Sequence, residues 1–262
     1  MWYAPMLTVI SPAKSLDFES SPRTNRFSDP VFLSSSRHLI SELRKQSPAQ
    51  ISRLMKISPK LGELNADRYR SWKLPFTPEN AKQALLAFRG DVYMGLEADT
   101  FSARDFTFSQ KHLRILSGLY GVLKPLDLIQ PYRLEMGTRF ANKRGKDLYE
   151  FWGNRLTKAV ADELSGHRNK TLLNLASNEY FKSIDTASLG HRVVTPVFKD
   201  YSNGTYRVLS FFAKKARGRM ASYLIRNRIN KPDELKAFDL DGYSYTESLS
   251  DADTWVFTRK GA

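Results

Sequence analysis

The chain contains no cysteine. Disulfides, iron–sulfur clusters, thiolate zinc sites and cysteine nucleophiles are therefore excluded outright. Histidine is nearly as scarce, since His38, His112, His167 and His191 are the complete set. No H-x-x-x-H or histidine–carboxylate spacing places two ligands on one helical face, so no metal site is expected, an all-carboxylate Mg²⁺ site being the one arrangement left open. The G-x-S-x-G, Walker A and G-x-G-x-x-G patterns are also missing, which leaves the corresponding hydrolase, ATPase and dinucleotide mechanisms without a foothold. No linker, low-complexity run or internal repeat divides the chain, and one domain over residues 1–262 is expected. The amino-terminal segment lacks a basic region and reaches the polar Ser11, Lys14 and Asp17 too soon for a signal peptide or membrane span. A cytosolic protein with no membrane partner is expected. Met6 opens a strand-like segment, so Met1–Pro5 is set aside as an upstream extension.

What is present is ample apolar material and an excess of positive charge. The 262 residues are 41% hydrophobic and 12% aromatic, enough for a large core. The net charge of +14, with a pI near 9.8, points to an acidic partner. Between Tyr201 and Pro232 stand eight basic residues, Arg207, Lys214, Lys215, Arg217, Arg219, Arg226, Arg228 and Lys231, with no acid among them.

Leu7–Ile10 reads as a short buried strand ended by Ser11-Pro12. Four polar–proline pairs, Asp29-Pro30, Ser47-Pro48, Ser58-Pro59 and Thr77-Pro78, read as helix starts. Asp147–Leu164 has helical apolar spacing, weakened at Gly153. Thr171–Ala176, Val193–Phe198, Tyr206–Phe212 and Trp255–Thr258 read as strands, with Asn203-Gly204 in a turn. Helices grouped early and strands grouped late predict an α+β fold, with a helix-rich first half and a mixed sheet completed by carboxy-terminal strands.

Three constellations can carry function. In Ser210–Met220 (SFFAKKARGRM) a strand runs into a helix continuing to Ile229. At 100° per residue Ala213, Ala216, Met220, Tyr223 and Leu224 share one side, with Lys215, Arg219 and Arg226 on one edge and Lys214, Arg217 and Arg228 on the other. Most charge runs are solvated faces, but the missing acids favour phosphate contact. In Leu116–Gly137, Gly118 and Gly121 bracket an apolar pair between two helical stretches; the turn reads either as an αα corner or as a hairpin whose amides hold phosphate, with Lys124, Arg133 and Arg139 nearby. Asn174–Lys182 is a buried strand ending in a polar cluster. Ser177 reads first as a helix cap, while Glu179 with Lys182 or Lys14 forms a candidate acid/base pair. Asp91, between Gly90 and Gly95, reads first as a turn former and second as a ligand. Tyr120, Tyr132 and Tyr180 are candidates for stacking on bases.

Taken together, SPAK at Ser11–Lys14, FRGDVYMGL at Phe88–Leu96, LSGLYGVLKPLDLIQPYRLEMG, GKDLYEFWG from Gly145, NLASNEYFKS and SFFAKKARGRM closely resemble the YaaA family of bacterial peroxide-stress proteins. The resemblance implies a cytosolic protein that helps limit unincorporated iron and binds duplex or branched DNA through a positively charged cleft and a helix-hairpin-helix-like element. Carried over residue by residue, it puts the hairpin at Ser117–Gly121, including Ser117, Gly118, Tyr120 and Gly121. It puts the cleft cations at Lys14, Lys182, Lys214, Lys215 and Arg217; Lys124, Arg133 and Arg219 complete the expected DNA-contacting set. No cofactor is expected, and a monomer is. The rival expectation is an enzyme acting on a nucleotide or on modified or damaged nucleic acid, with Lys14, Asp91, Glu179 and Lys182 as the reactive set.

Overall fold

Leu7–Ile10 forms strand β1 with all four side chains buried, as a short apolar run bounded by proline dictates. The computed structural model describes residues 6–167 and 169–260; the upstream extension Met1–Pro5 lies outside them. Around β1 assemble β2 (Leu113–Ser117), β3 (Gly121–Leu123), β4 (Thr171–Leu175), β5 (Arg192–Ser202), β6 (Thr205–Arg207), β7 (Ser244–Tyr245) and β8 (Thr254–Lys260). The sheet runs β7-β8-β5-β4-β1-β2-β3, with β6 also paired to β5. Strand β1 is parallel to both neighbours, Ile10 lying beside Ile115 and Leu175. Burial on both faces explains why β1 and β4 read as mostly apolar rather than alternating runs; β2, equally buried, is absent from the strands expected on sequence. The mixed sheet completed by carboxy-terminal strands is present. The amino-terminal strand, however, is one of its interior strands.

The helix-rich first half contains α1 (Leu33–Leu43), α2 (Pro48–Met55), α3 (Pro59–Ser71), α4 (Asp91–Leu96) and α5 (Ala103–His112). Ser47 and Ser58 cap α2 and α3 as expected, accepting from the N–H groups of Gln50 and Leu61. The other two proline pairs open no helix. Backbone bonds from Ser28 to Leu126 and Leu128 hold the chain extended at Asp29, and Asn80 Oδ1 takes the Thr77 N–H in a turn. Asp147–Leu164 is two helices, α6 (Leu148–Trp152) and α7 (Arg155–Ser165), broken where Gly153 takes a φ of 49°. Asn178–Phe181 is the short α8. The strand expected over Tyr206–Phe212 stops at Arg207, and α9 occupies Ser210–Arg226.

Ser117–Gly121 is not a helical hairpin. It is the turn between β2 and β3, with Ser117 paired antiparallel to Gly121, because Leu113–Ser117 is drawn into the sheet beside β1. A tight helix–helix turn does occur elsewhere, between α2 and α3. These helices are joined by Lys56-Ile57-Ser58 with Lys56 in the left-handed region, and Gly62 lets them close, since a Cβ there would lie 2.0 Å from Ser52 Oγ.

The contact that positions the site is between α4 and α9, which cross backbone against backbone. A Cβ on Gly95 would lie 2.1 Å from the Lys215 carbonyl oxygen, and one on Gly218 would lie 1.8 Å from that of Val92. Both positions require glycine.

Candidate functional site

The chain leaves β1, adds β2 on one side, and later adds β4 on the other, so the carboxyl end of β1 is a topological switch point. Crevices form there because the segments leaving adjacent strands diverge. A cleft of about 420 Å³ occupies this position, lined by residues following β1 (Ser11–Ser15) and β4 (Ser177, Glu179, Tyr180), by Arg89–Tyr93, by Glu135, and by Lys214 and Arg217 of α9.

Its floor is fixed by hydrogen bonds that tie the two strand ends together. Ser11 Oγ accepts from the Ser177 N–H at 2.9 Å and donates to Ser177 Oγ at 3.2 Å. Ser177 is therefore a clasp rather than the side-chain cap expected of it, and no cap bond is made. Tyr93 Oη donates to the Ser11 carbonyl at 3.1 Å, and burial pushes its phenol well above the usual range, keeping it a neutral donor. Glu179 Oε1 accepts from the Gly137 N–H at 2.9 Å, and Tyr149 Oη donates to the Glu179 carbonyl. These bonds fasten α8 to the segment that follows Glu135.

Lys14, Asp91 and Glu179, expected as reactive groups, do converge on the cleft. The pairing differs from expectation. Lys14 Nζ lies 3.5 Å from Glu135 Oε1, which also holds Arg133 at 2.9 Å, so Glu135 rather than Glu179 is its acid. Lys182 stands outside the lining with its ammonium 5.1 Å from the Tyr149 ring centre. Arg89, a lining residue that sequence reasoning missed, is neutralised by Asp17 at 2.8 Å and Asp99 at 3.3 Å.

The two edges of α9 part company. Lys215 reaches Asp241 at 3.5 Å, Arg219 reaches Glu97 at 2.6 Å and Asp241 at 3.6 Å, and Arg228, beyond the helix, reaches Asp105 at 2.8 Å. The acids missing from the local sequence are thus supplied from distant segments. Lys215, expected among the cleft cations, and Arg219, expected among the DNA contacts, both lie outside the cleft lining. On the other edge Lys214 keeps only a loose pair with Asp91 at 3.9 Å. Arg217 makes no ion pair or hydrogen bond with any described residue, although it is partly buried and burial lowers its pKa. Its guanidinium still touches solvent and has no protein partner, so it is available to an anion entering the cleft.

The hairpin contacts fail for a different reason. Ser117 and Tyr120 are fully buried, Ser117 Oγ takes the Tyr120 N–H, and Tyr120 Oη accepts from Trp72 Nε1. Gly118 lies against the Leu134 backbone, and its carbonyl accepts from Trp152 Nε1. Gly121 is packed under Trp152 and Leu156. None of these groups faces an incoming strand. Lys124 and Arg133 lie outside the cleft lining as well, and Tyr132 and Tyr180 are buried. An exposed basic loop beside the site went largely unread: Arg139, Lys143, Arg144 and Lys146 occur with no acid between Gly137 and Lys146. Its anchor is the Gly137–Glu179 bond.

The fold and cleft define an α+β protein with a cation-bearing crevice at the carboxyl ends of parallel strands. The family model described as peroxide stress protein YaaA matches residues 6–249, and the chain belongs to that family. Its relatives include UPF0246 proteins from Teredinibacter turnerae and Cellvibrio japonicus, each 58% identical over 255 residues. A third, from Dechloromonas aromatica, is 56% identical over the same length. Each match covers 97% of this chain and 99–100% of the relative.

Proposed function

We propose that this peroxide-stress family member binds DNA largely without sequence specificity, holding phosphates in the strand-end cleft and along the basic loop that adjoins it. The observation that carries the reading is Arg217, a partly buried guanidinium with no acid of its own, set in one cleft with Lys14 and the loosely paired Lys214. Phosphate contacts of this kind position a duplex without reading its bases. Exposed Arg139, Lys143 and Arg144 extend the positive surface beyond the cleft. Among the described residues no three His, Asp or Glu side chains gather as metal ligands. Protection of DNA is assigned to occupancy of its backbone.

Duplex affinity measured against salt tests this. Each neutralised phosphate contributes a slope of about −0.9 in log K against log salt, so a Lys14/Lys214/Arg217 triple alanine should flatten the slope by about 2 to 3 units. A Lys215/Arg219 double alanine should change it little. Equal slopes for the wild type and a folded triple variant would remove the cleft from the interface.

The convergence of Lys14, Asp91 and Glu179 also supports the second reading, an enzyme acting on a nucleotide or damaged nucleic acid in the same cleft. Glu179→Gln separates the two, because loss of protection against peroxide with DNA affinity intact favours chemistry.

A further inference from the structure

The chain belongs to a peroxide-stress family and has no thiol, so methionine is the sulfur it can offer to an oxidant. Exposure divides the methionines sharply. Met6, Met136 and Met220 are sealed at 0% and Met55 stands at 8%, whereas Met94 is 51% exposed, the one open thioether among the described residues.

The place of Met94 gives that exposure a consequence. On α4 it stands one turn after Asp91, which lines the cleft and pairs with Lys214, and directly before Gly95, where an added Cβ would lie 2.1 Å from the Lys215 carbonyl oxygen. Its side chain lines a groove of about 340 Å³ together with Phe211, Phe212, Tyr243, Lys215 and Asp241. A soft apolar thioether suits these aromatic neighbours. A sulfoxide does not, because its oxygen is a strong acceptor that needs a donor or water. The groove offers it Lys215, whose ammonium has three N–H donors and one acid, Asp241 at 3.5 Å.

We propose that Met94 is a peroxide-modification site whose sulfoxide loosens the α4–α9 crossing and so weakens the cleft beside it. In the oxidation the sulfur lone pair attacks one peroxide oxygen and the O–O bond breaks. The departing hydroxide takes the proton left on the transferred oxygen, giving water and the sulfoxide; sulfur loses two electrons and peroxide gains them. A methionine sulfoxide reductase restores the thioether. Backbones packed at Gly95 and Gly218 leave no slack for repacking, so a polar group drawn toward Lys215 and water displaces α4. Asp91 moves with that helix, and with it the wall facing Lys214 and Arg217. The modification and the loosening stand on their own; only the effect on DNA rests on the cleft reading.

Titration of the folded protein with hydrogen peroxide, followed by peptide mass mapping, is the first measurement. Met94 should gain one oxygen about tenfold faster than Met6, Met55, Met136 and Met220. Hydrogen exchange should then rise in the α4 and α9 peptides, and a sulfoxide reductase should reverse both changes. Met94→Leu, close in volume at a half-exposed position, should melt like the wild type and keep both helices protected in peroxide. Met94→Gln, which supplies a polar acceptor without oxidant, should reproduce the raised exchange. Duplex affinity should fall about 3- to 10-fold in the oxidised wild type and in Met94→Gln, and stay within about twofold in treated Met94→Leu. Oxidation of Met94 no faster than that of the sealed methionines overturns the modification site. Unchanged exchange, or an equal rise in treated Met94→Leu, overturns the loosening; raised exchange with unchanged duplex affinity overturns the link to the cleft. If the reduced wild type does not bind duplex, the cleft reading falls and takes that link with it, while the mass and exchange results still decide the rest.

Discussion

Arg217 and Asp127 show how differently a partly buried cation and a fully buried carboxyl are treated. Asp127 is fully buried on the turn before Leu128, where its carboxylate accepts from Ser28 Oγ at 2.6 Å and from the Lys124 N–H at 2.8 Å. Burial outweighs these bonds and pushes its pKa up to about 6. The sign follows: between the unfolded value near 3.8 and about 6 the folded state binds more protons than the unfolded state, so this group contributes most stability at low pH and loses it as pH rises through 6. A shift of two units corresponds to about 3 kcal/mol. Denaturant titrations from pH 4 to 7 should show this decline in the wild type and not in Asp127→Asn, the difference between the two curves isolating it from the other carboxylates. Arg217 keeps its charge and lacks such bonds. On the proposed reading its partner is a phosphate from outside the protein.

At the scale of elements, the site depends on how closely α4 and α9 approach. Gly218→Ala places a methyl inside the Val92 carbonyl contact and forces the helices apart, with an expected cost of about 3 kcal/mol or more, read as a lowered Tm. Because Asp91 and Lys214 lie on the parting helices, DNA affinity should fall even below the melting transition. Local elements were legible where chemistry is local. The buried runs of β1 and β4, the serine caps of α2 and α3, and the apolar side of α9 all follow from spacing and propensity. Ser117–Gly121 was misread because a glycine-bracketed apolar pair suits a strand turn as well as a helical one, and only pairing of β2 with β1 decides. The role of Gly218 gave no signal, since a glycine inside a helix is read as a weakness unless its partner across the crossing is known. Lys14 and Arg217 were legible as cations, but their neighbours were not. Glu135 reaches Lys14, and Asp241 and Glu97 reach Lys215 and Arg219, from remote segments that no spacing rule joins.

For the molecule as a whole, the charge of +14 is less concentrated than its sequence suggests, because the acids that neutralise one edge of α9 arrive through the fold. Removing those acids should undo the arrangement. A Glu97→Gln/Asp241→Asn double variant raises the formal charge by two and frees Lys215 and Arg219, so duplex binding should tighten at low salt and the salt slope steepen by up to about 2 units. An unchanged slope would mean that this edge faces away from bound DNA.

The serine clasp at the bottom of the cleft joins positions 166 residues apart, and the unpartnered guanidinium follows 40 residues later. During synthesis on the ribosome the floor of the crevice cannot close until Ser177 has emerged, and its last wall is missing until Arg217 has. A partly made chain therefore carries an open half-site whose two ends meet only late in translation.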